Sequence, residues 1–169
     1  FTPATNWPLT VTLSSELQIA QSLTISGPGQ EQLILSGGGA TRVLNVSAGM
    51  SVTLEAFAVK NGSNASASGG GIYNAGELTL KEMQIAENET QNDGGGIYST
   101  GALTVINSKF ISNTAANGGA LFTEAGAEAF LTDVQASNNS AGTNGGALML
   151  SAPASIAGVG MMAGNRSTH

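Results

Sequence analysis

Short segments that alternate apolar and polar residues recur along the whole chain. Leu9-Thr10-Val11-Thr12-Leu13, Leu23-Thr24-Ile25, Val52-Thr53-Leu54, Leu78-Thr79-Leu80 and Leu103-Thr104-Val105 all follow this pattern, and Ala129-Phe130-Leu131 is a looser version. A period of two predicts strands with one buried face. Leu33-Ile34-Leu35 and Val43-Leu44-Asn45-Val46 fit the same scheme. No window keeps the 3.6-residue period of an amphipathic helix. Gly, which disfavours helix interiors, recurs 24 times along the chain.

The strands belong to a repeat. Gly69-Gly70-Gly71-Ile72-Tyr73 returns as Gly94-Gly95-Gly96-Ile97-Tyr98, Gly118-Gly119-Ala120-Leu121-Phe122 and Gly145-Gly146-Ala147-Leu148-Met149, at steps of 25, 24 and 27 residues. Between these marks an apolar residue stands three before an Asn: Ile85 and Asn88, Phe110 and Asn113, Ala136 and Asn139, Met162 and Asn165. Val59 and Gly62 form a degenerate earlier copy. Each period holds about three short β segments. Leucine-rich repeats have a similar period, but their LxxLxLxxN signature is absent, and ankyrin or tetratricopeptide arrays need helices.

The pattern predicts a parallel β-helix, an all-β solenoid of roughly five to six coils with about three strands per coil. Equivalent positions would stack about 4.8 Å apart, giving a rod on the order of 25–30 Å long. Ile72, Ile97, Leu121 and Leu148 would form one inward ladder, and Leu80, Val105 and Leu131 another. The Gly pairs supply corners with φ > 0. Asn88, Asn113, Asn139 and Asn165 fall at a further corner, where stacked amides can bond along the rod axis. The bias of parallel crossovers makes the solenoid right-handed. The chain is read as one domain, with a possible cap at 1–8 (Phe1, Trp7 and Pro8), degenerate coils at 9–60 and regular coils at 61–169.

Composition narrows the function. The 169 residues include 24 Gly but only 9% charged and 5% aromatic residues, while 41% are hydrophobic. That apolar content predicts a packed fold and argues against a disordered chain. A net charge of −6 argues against nucleic acid, whose binding rests on cationic contacts to phosphates. There is no Cys, and the one His is the last residue, His169. Thiolate zinc sites, Cys nucleophiles, a Ser-His-Asp triad and multi-histidine metal sites are thereby set aside, and no cofactor is implied. No apolar run approaches the roughly 20 residues of a helical membrane span.

The repeated marks resemble those of bacterial right-handed β-helix surface proteins of the choice-of-anchor and polymorphic outer membrane protein type. Those carry GGGIYN or GGAI marks followed by LTL and FxxN. Here the marks stand at Gly69 to Asn74, Gly94 to Ser99, Gly118 to Phe122 and Gly145 to Leu148, and Phe110-Ile111-Ser112-Asn113 is the one full FxxN. Leu23 to Gly29 resembles the stretch that precedes such repeats. The resemblance covers about residues 9 to 165 and implies a bacterial protein, secreted or at the cell surface, in some members an adhesin. Ile85, Ala136 and Met162 depart from it by replacing the Phe of FxxN.

Parallel β-helices also host polysaccharide lyases and hydrolases, which need converging acids. This chain has two Asp, Asp93 and Asp133, and two Arg, Arg42 and Arg166. Glu77, Glu82, Glu87 and Glu89 share one coil, but their counterparts one coil on are Ala102, Asn107, Ser112 and Thr114. No catalytic residue is assigned. A calcium site at Asn92-Asp93 is set aside too, since one carboxylate cannot fill six to eight oxygen positions. Six Asn-x-Ser/Thr sequons, at Asn45, Asn61, Asn64, Asn88, Asn138 and Asn165, reflect an Asn- and Ser-rich composition. Thr53, Thr79 and Thr104 form an outward ladder that β-propensity explains.

One feature points to binding. If Ile72, Ile97, Leu121 and Leu148 face inward, then Tyr73, Tyr98, Phe122 and Met149 face outward as an apolar, partly aromatic stripe, and such stripes mark interaction surfaces. The alternative is a kinked corner that tucks the rings under a neighbouring loop. The leading expectation is a non-enzymatic extracellular rod that contacts other protein chains, by self-association or in a larger surface assembly. The second is a carbohydrate-active β-helix that binds or cleaves a glycan. The final period stops after Asn165 without a covering segment, and Met161 and Met162 would meet water. The chain is therefore expected to continue or to find a partner.

Overall fold

The structure is a computed structural model and describes residues 7–151, 154–158, 160 and 162–168. Among these residues all regular structure is β. The strands pair only in parallel and build four sheets, which the chain visits in the order I, II, III, IV. Sheet I holds Leu9–Thr12, Leu33–Ser36, Ala58–Lys60, Gln84–Ala86, Lys109–Ile111, Gln135–Ser137 and Met162–Ala163. Sheet II holds Ser63–Asn64, Glu89–Thr90, Thr114–Asn117, Ser140–Asn144 and Arg166–Ser167. Sheet III runs from Leu17–Ile19 through Leu44–Val46, Ile72–Asn74, Ile97–Ser99 and Leu121–Thr123 to Leu148–Leu150. Sheet IV runs from Leu23–Ser26 through Ser51–Glu55, Glu77–Lys81, Leu103–Ile106 and Ala129–Thr132 to Ala154–Ala157. The molecule is thus a β-solenoid of about six turns.

The first two coils have the three strands expected. From the third coil on, a short fourth strand is added as sheet II, directly after the Asn mark. Its segments are mostly polar and some are two residues long, so no apolar alternation announces them.

The inward ladders form in register. Leu17, Leu44, Ile72, Ile97, Leu121 and Leu148 stack in sheet III. Ile25, Leu54, Leu80, Val105, Leu131 and Ile156 stack in sheet IV. A third ladder in sheet I runs Val11, Leu35, Val59, Ile85, Phe110, Ala136 and Met162. Val59, Ile85 and Phe110 are fully buried. Each such side chain contributes roughly 1.5–3 kcal/mol by leaving water. Apolar residues become exposed towards both ends of the ladders, with Leu9 at 53%, Leu17 at 41%, Ile156 at 45% and Met162 at 43%.

Corners explain the remaining residue choices. The first Gly of each corner mark is left-handed, with φ of 79° at Gly69, 68° at Gly94, 58° at Gly118 and 62° at Gly145. The second Gly is needed for room: a Cβ at Gly70 would lie 2.3 Å from the Glu89 carbonyl oxygen. Two other corners use single left-handed residues that need not be Gly. Ala56, Glu82, Asn107 and Asp133 turn the chain between sheets IV and I, and Asn61, Glu87, Ser112 and Asn138 between I and II. Of the expected cap, Phe1 lies outside the described residues, while Trp7 is 43% exposed ahead of the first strand. Met161 and His169 also lie outside the described residues.

Candidate functional site

The outward stripe is built by register. Asn45, Tyr73, Tyr98, Phe122 and Met149 occupy the central position of successive sheet III strands. The strand neighbours of Tyr73, Tyr98 and Phe122, such as Ile72 and Asn74, are buried, and those of Met149 are half-buried; Tyr73, Tyr98, Phe122 and Met149 are themselves half-buried. The rings stack along the rod. Tyr73 and Tyr98 have centroids 5.8 Å apart at 19°, and Tyr98 and Phe122 are 5.4 Å apart at 11°. These separations fit offset stacking between neighbouring strands. Each ring therefore covers a face of the next, and the ring edges remain for a partner.

The upstream face of the stack is closed by Arg42, whose guanidinium carbon lies 5.2 Å from the Tyr73 centroid. Arg42 is almost buried and is held at three points. Nη1 donates to Glu16 Oε2 at 2.9 Å, Nε to the Gly69 carbonyl at 2.9 Å, and Nη2 to the Ser68 carbonyl at 3.0 Å. Glu16 also accepts from Asn45 Nδ2 at 3.0 Å, which ties the head of the stripe to the first coil. Cation–π contact and a charge-assisted hydrogen bond thus fix one guanidinium. Sequence reasoning did not find Arg42's part, because it stands outside the repeated marks.

Carboxylates flank the rings. Burial raises the ionisation of the Tyr98 hydroxyl above the usual tyrosine range, and its hydrogen bond to Glu124 and the charges of Glu124 and Asp93 act the same way. Asp93 begins a side-chain chain of its own: Asn117 Nδ2 donates to Asp93 Oδ1 at 2.8 Å, and Asn144 Nδ2 to Asn117 Oδ1 at 3.2 Å.

The Asn corner lies inside the rod, where Asn88, Asn113 and Asn139 are fully buried. Asn88 Nδ2 donates to Asn113 Oδ1 at 3.0 Å, Asn113 Nδ2 to Asn139 Oδ1 at 2.9 Å, and Asn139 Nδ2 to Asn165 Oδ1 at 2.9 Å. Each amide also donates to a carbonyl of the preceding coil: Val59 for Asn88, Ile85 for Asn113, Phe110 for Asn139 and Ala136 for Asn165. The ladder's upstream position is Gly62, whose N–H donates to Asn88 Oδ1 at 2.8 Å. A second buried polar column, Asn74, Ser99 and Thr123, was not foreseen, since no two of its members share a side chain. Asn74 Nδ2 donates to Ser99 Oγ at 2.8 Å and to the Ala102 carbonyl at 3.0 Å.

The four clustered glutamates do not share a face. Glu77 opens its strand in sheet IV and bonds Ser51 Oγ, while Glu82 and Glu87 occupy two different left-handed corners. Glu89 lies in sheet II. Among the described residues, no three acids or histidines gather as metal ligands. The outward Thr ladder gains Thr24 at one end and meets the half-exposed Phe130 at the other.

Comparison with protein-family models, with curated proteins and with solved structures finds no match to this chain. No helix among the described residues is long and apolar enough to cross a membrane.

Proposed function

We propose that this chain is a non-enzymatic interaction rod of a bacterial surface or secreted protein, adhesin-like or part of a scaffold, which contacts other protein chains through its sheet III stripe. The observation that carries this reading is the in-register column Tyr73, Tyr98, Phe122 and Met149, half-buried and continuous over four coils. A solenoid repeats one surface position at each coil, so a modest contact is multiplied along a rigid face. The likeness of the GGGIYN, GGAI and FxxN marks to those of surface β-helix proteins supports the location.

The second reading, a carbohydrate-active β-helix, has less support. Sugars stack on free aromatic faces, and here the faces of Tyr73, Tyr98 and Phe122 cover one another with Arg42 closing the end. The acids needed for cleavage diverge over separate sheets and corners.

The test compares purified wild type with a Tyr98→Ser/Phe122→Ser double variant in cell- and matrix-adhesion assays and in sedimentation at rising concentration. Loss of adhesion or of self-association in the variant, with the unfolding transition still cooperative, is expected. Turnover of pectin, alginate or another acidic glycan that disappears on changing Glu77, Glu82, Glu87 or Glu89 would overturn the reading.

A further inference from the structure

The chain contains three Asn-Gly steps, Asn61-Gly62, Asn117-Gly118 and Asn144-Gly145. In such a step the Gly nitrogen, unhindered by a side chain, can attack the side-chain carbonyl carbon of the Asn before it. The reaction needs two freedoms: a Gly N–H able to give up its proton, and an Asn side chain able to swing back towards it. The fold itself imposes the first of these steps. A Cβ at Gly62 would lie 2.3 Å from the Gly70 carbonyl oxygen and 2.8 Å from Asn88 Oδ1, so the position requires Gly. Asn61 turns the corner from sheet I to sheet II with φ of 50°, a left-handed conformation in which Asn is enriched.

The three steps are held unequally. The Asn117 amide donates to Asp93 Oδ1 at 2.8 Å and the Asn144 amide to Asn117 Oδ1 at 3.2 Å. Asn61 is exposed, and its side chain makes no hydrogen bond among the described residues. With Gly62 it lines a hollow of about 490 Å³, shared with Gly38, Gly39, Glu87 and Glu89, where water can reach the pair. One guard remains. The Gly62 N–H donates to Oδ1 of the fully buried Asn88 at 2.8 Å, at the head of the amide ladder.

We infer that Asn61 is a site of intramolecular deamidation, closed while Asn88 holds the Gly62 N–H and opened when the head of the ladder lets go. Once released, the Gly62 nitrogen loses its proton to hydroxide and bonds to Asn61 Cγ. The bond from Cγ to Nδ2 breaks, and Nδ2 takes up a proton and leaves as ammonia. Water then opens the cyclic imide at one carbonyl or the other, leaving Asp or iso-Asp at this position.

Either product sets a new carboxylate one coil from Glu87, which occupies the same corner in the next coil. Iso-Asp also reroutes the main chain through the former side chain. The Asn61 carbonyl, which accepts from the Gly39 N–H at 2.7 Å, then leaves the backbone. A passing break at the ladder head thus becomes a lasting loss in the join between the second and third coils. None of the stripe residues takes part, so the failure of this inference and that of the interaction-rod reading are separable.

The experiment incubates the whole chain at mildly alkaline pH and follows amide-to-acid conversion at each Asn-Gly step by peptide mass spectrometry. Asn61 should convert readily in guanidinium and slowly in the folded wild type, in step with hydrogen-exchange protection of the Gly62 amide. Asn88→Ala, which removes the acceptor, should speed conversion at Asn61 on the order of tenfold, the worth of one buried hydrogen bond. Asn117 should keep its wild-type rate in that variant. Asn139→Ala breaks the ladder further downstream and should leave Asn61 slow. Conversion of Asn61 as fast in the folded wild type as in guanidinium overturns the inference, and this arm holds even if Asn88→Ala fails to fold. An Asn61 rate unchanged in a folded Asn88→Ala, or raised equally in Asn139→Ala, overturns it too, because the Gly62–Asn88 bond would then not be the guard.

Discussion

The amide of Asn113 donates to Oδ1 of Asn139 at 2.9 Å, and all of its other hydrogen-bonding capacity is used as well. Its second N–H meets the Ile85 carbonyl at 2.9 Å, while its oxygen accepts from the Asn88 backbone at 3.1 Å and the Asn88 amide at 3.0 Å. A buried Asn with two donors and two acceptors satisfied is fixed in one rotamer.

Replacing Asn113 with Ala should therefore strand several buried groups at once. The cost is expected to be on the order of 3 kcal/mol, at the upper end for buried polar deletions. Chemical denaturation of the variant measures it. An unchanged midpoint would show that the ladder adds nothing to stability.

Glu82 holds φ of 52° at an exposed corner. A left-handed non-Gly residue costs roughly 1–2 kcal/mol, and Gly returns part of that as greater freedom of the unfolded chain. Glu82→Gly should stabilise by about 0.5–1 kcal/mol, and Glu82→Val should destabilise. Paired thermal melts decide it, and a fall in midpoint for the Gly variant would contradict the corner assignment.

Phe110 in sheet I and Phe130 in sheet IV have opposite fates, one fully buried and the other 49% exposed. Phe110→Ala should cost about 3–5 kcal/mol, as expected for a large side chain lost from a core. Phe130→Ala should stay within about 0.5 kcal/mol. Similar losses at both sites would contradict the register of sheets I and IV.

Burial, then the Glu124 hydrogen bond and the acidic neighbours, raise the ionisation of Tyr98 in the folded rod. A group whose folded value lies above its unfolded one, about 10 for tyrosine, stabilises fully below that pH. This contribution is lost as pH rises through the folded value. Wild type should lose stability on the alkaline side more steeply than Tyr98→Phe. Denaturation midpoints taken from pH 8 to 12 test this, and parallel curves would refute it.

Much of the solenoid was legible because each coil repeats the same demands. Alternation located the inward ladders of sheets III and IV, and the Gly and Asn marks located two corners, while the sheet I ladder showed only as the apolar residue three before each Asn. What escaped had no repeated side chain to betray it. Sheet II is written in polar pairs such as Ser63–Asn64 and Glu89–Thr90, whose strand state follows from their neighbours in space. The left-handed corners accept Ala, Glu, Ser, Asn and Asp alike, since these single-residue bends are imposed by the stacked coils. The stripe could be placed outward by alternation, but the closure of its stack by Arg42 depends on Glu16 and the Ser68 and Gly69 carbonyls, far apart in sequence.

The amide ladder gives the rod a direction of assembly. Each Asn reaches back to a carbonyl of the coil before it, yet one of its donors waits for the Asn that arrives 25 or 26 residues later. A newly formed coil is therefore a template with an unmet demand, and the next coil closes a loop of the same length to answer it. The entropic cost of closure is the same at each step, because loop length does not grow with the rod. Such a chain suits vectorial folding, because each coil from Asn88 to Asn139 is completed by its successor.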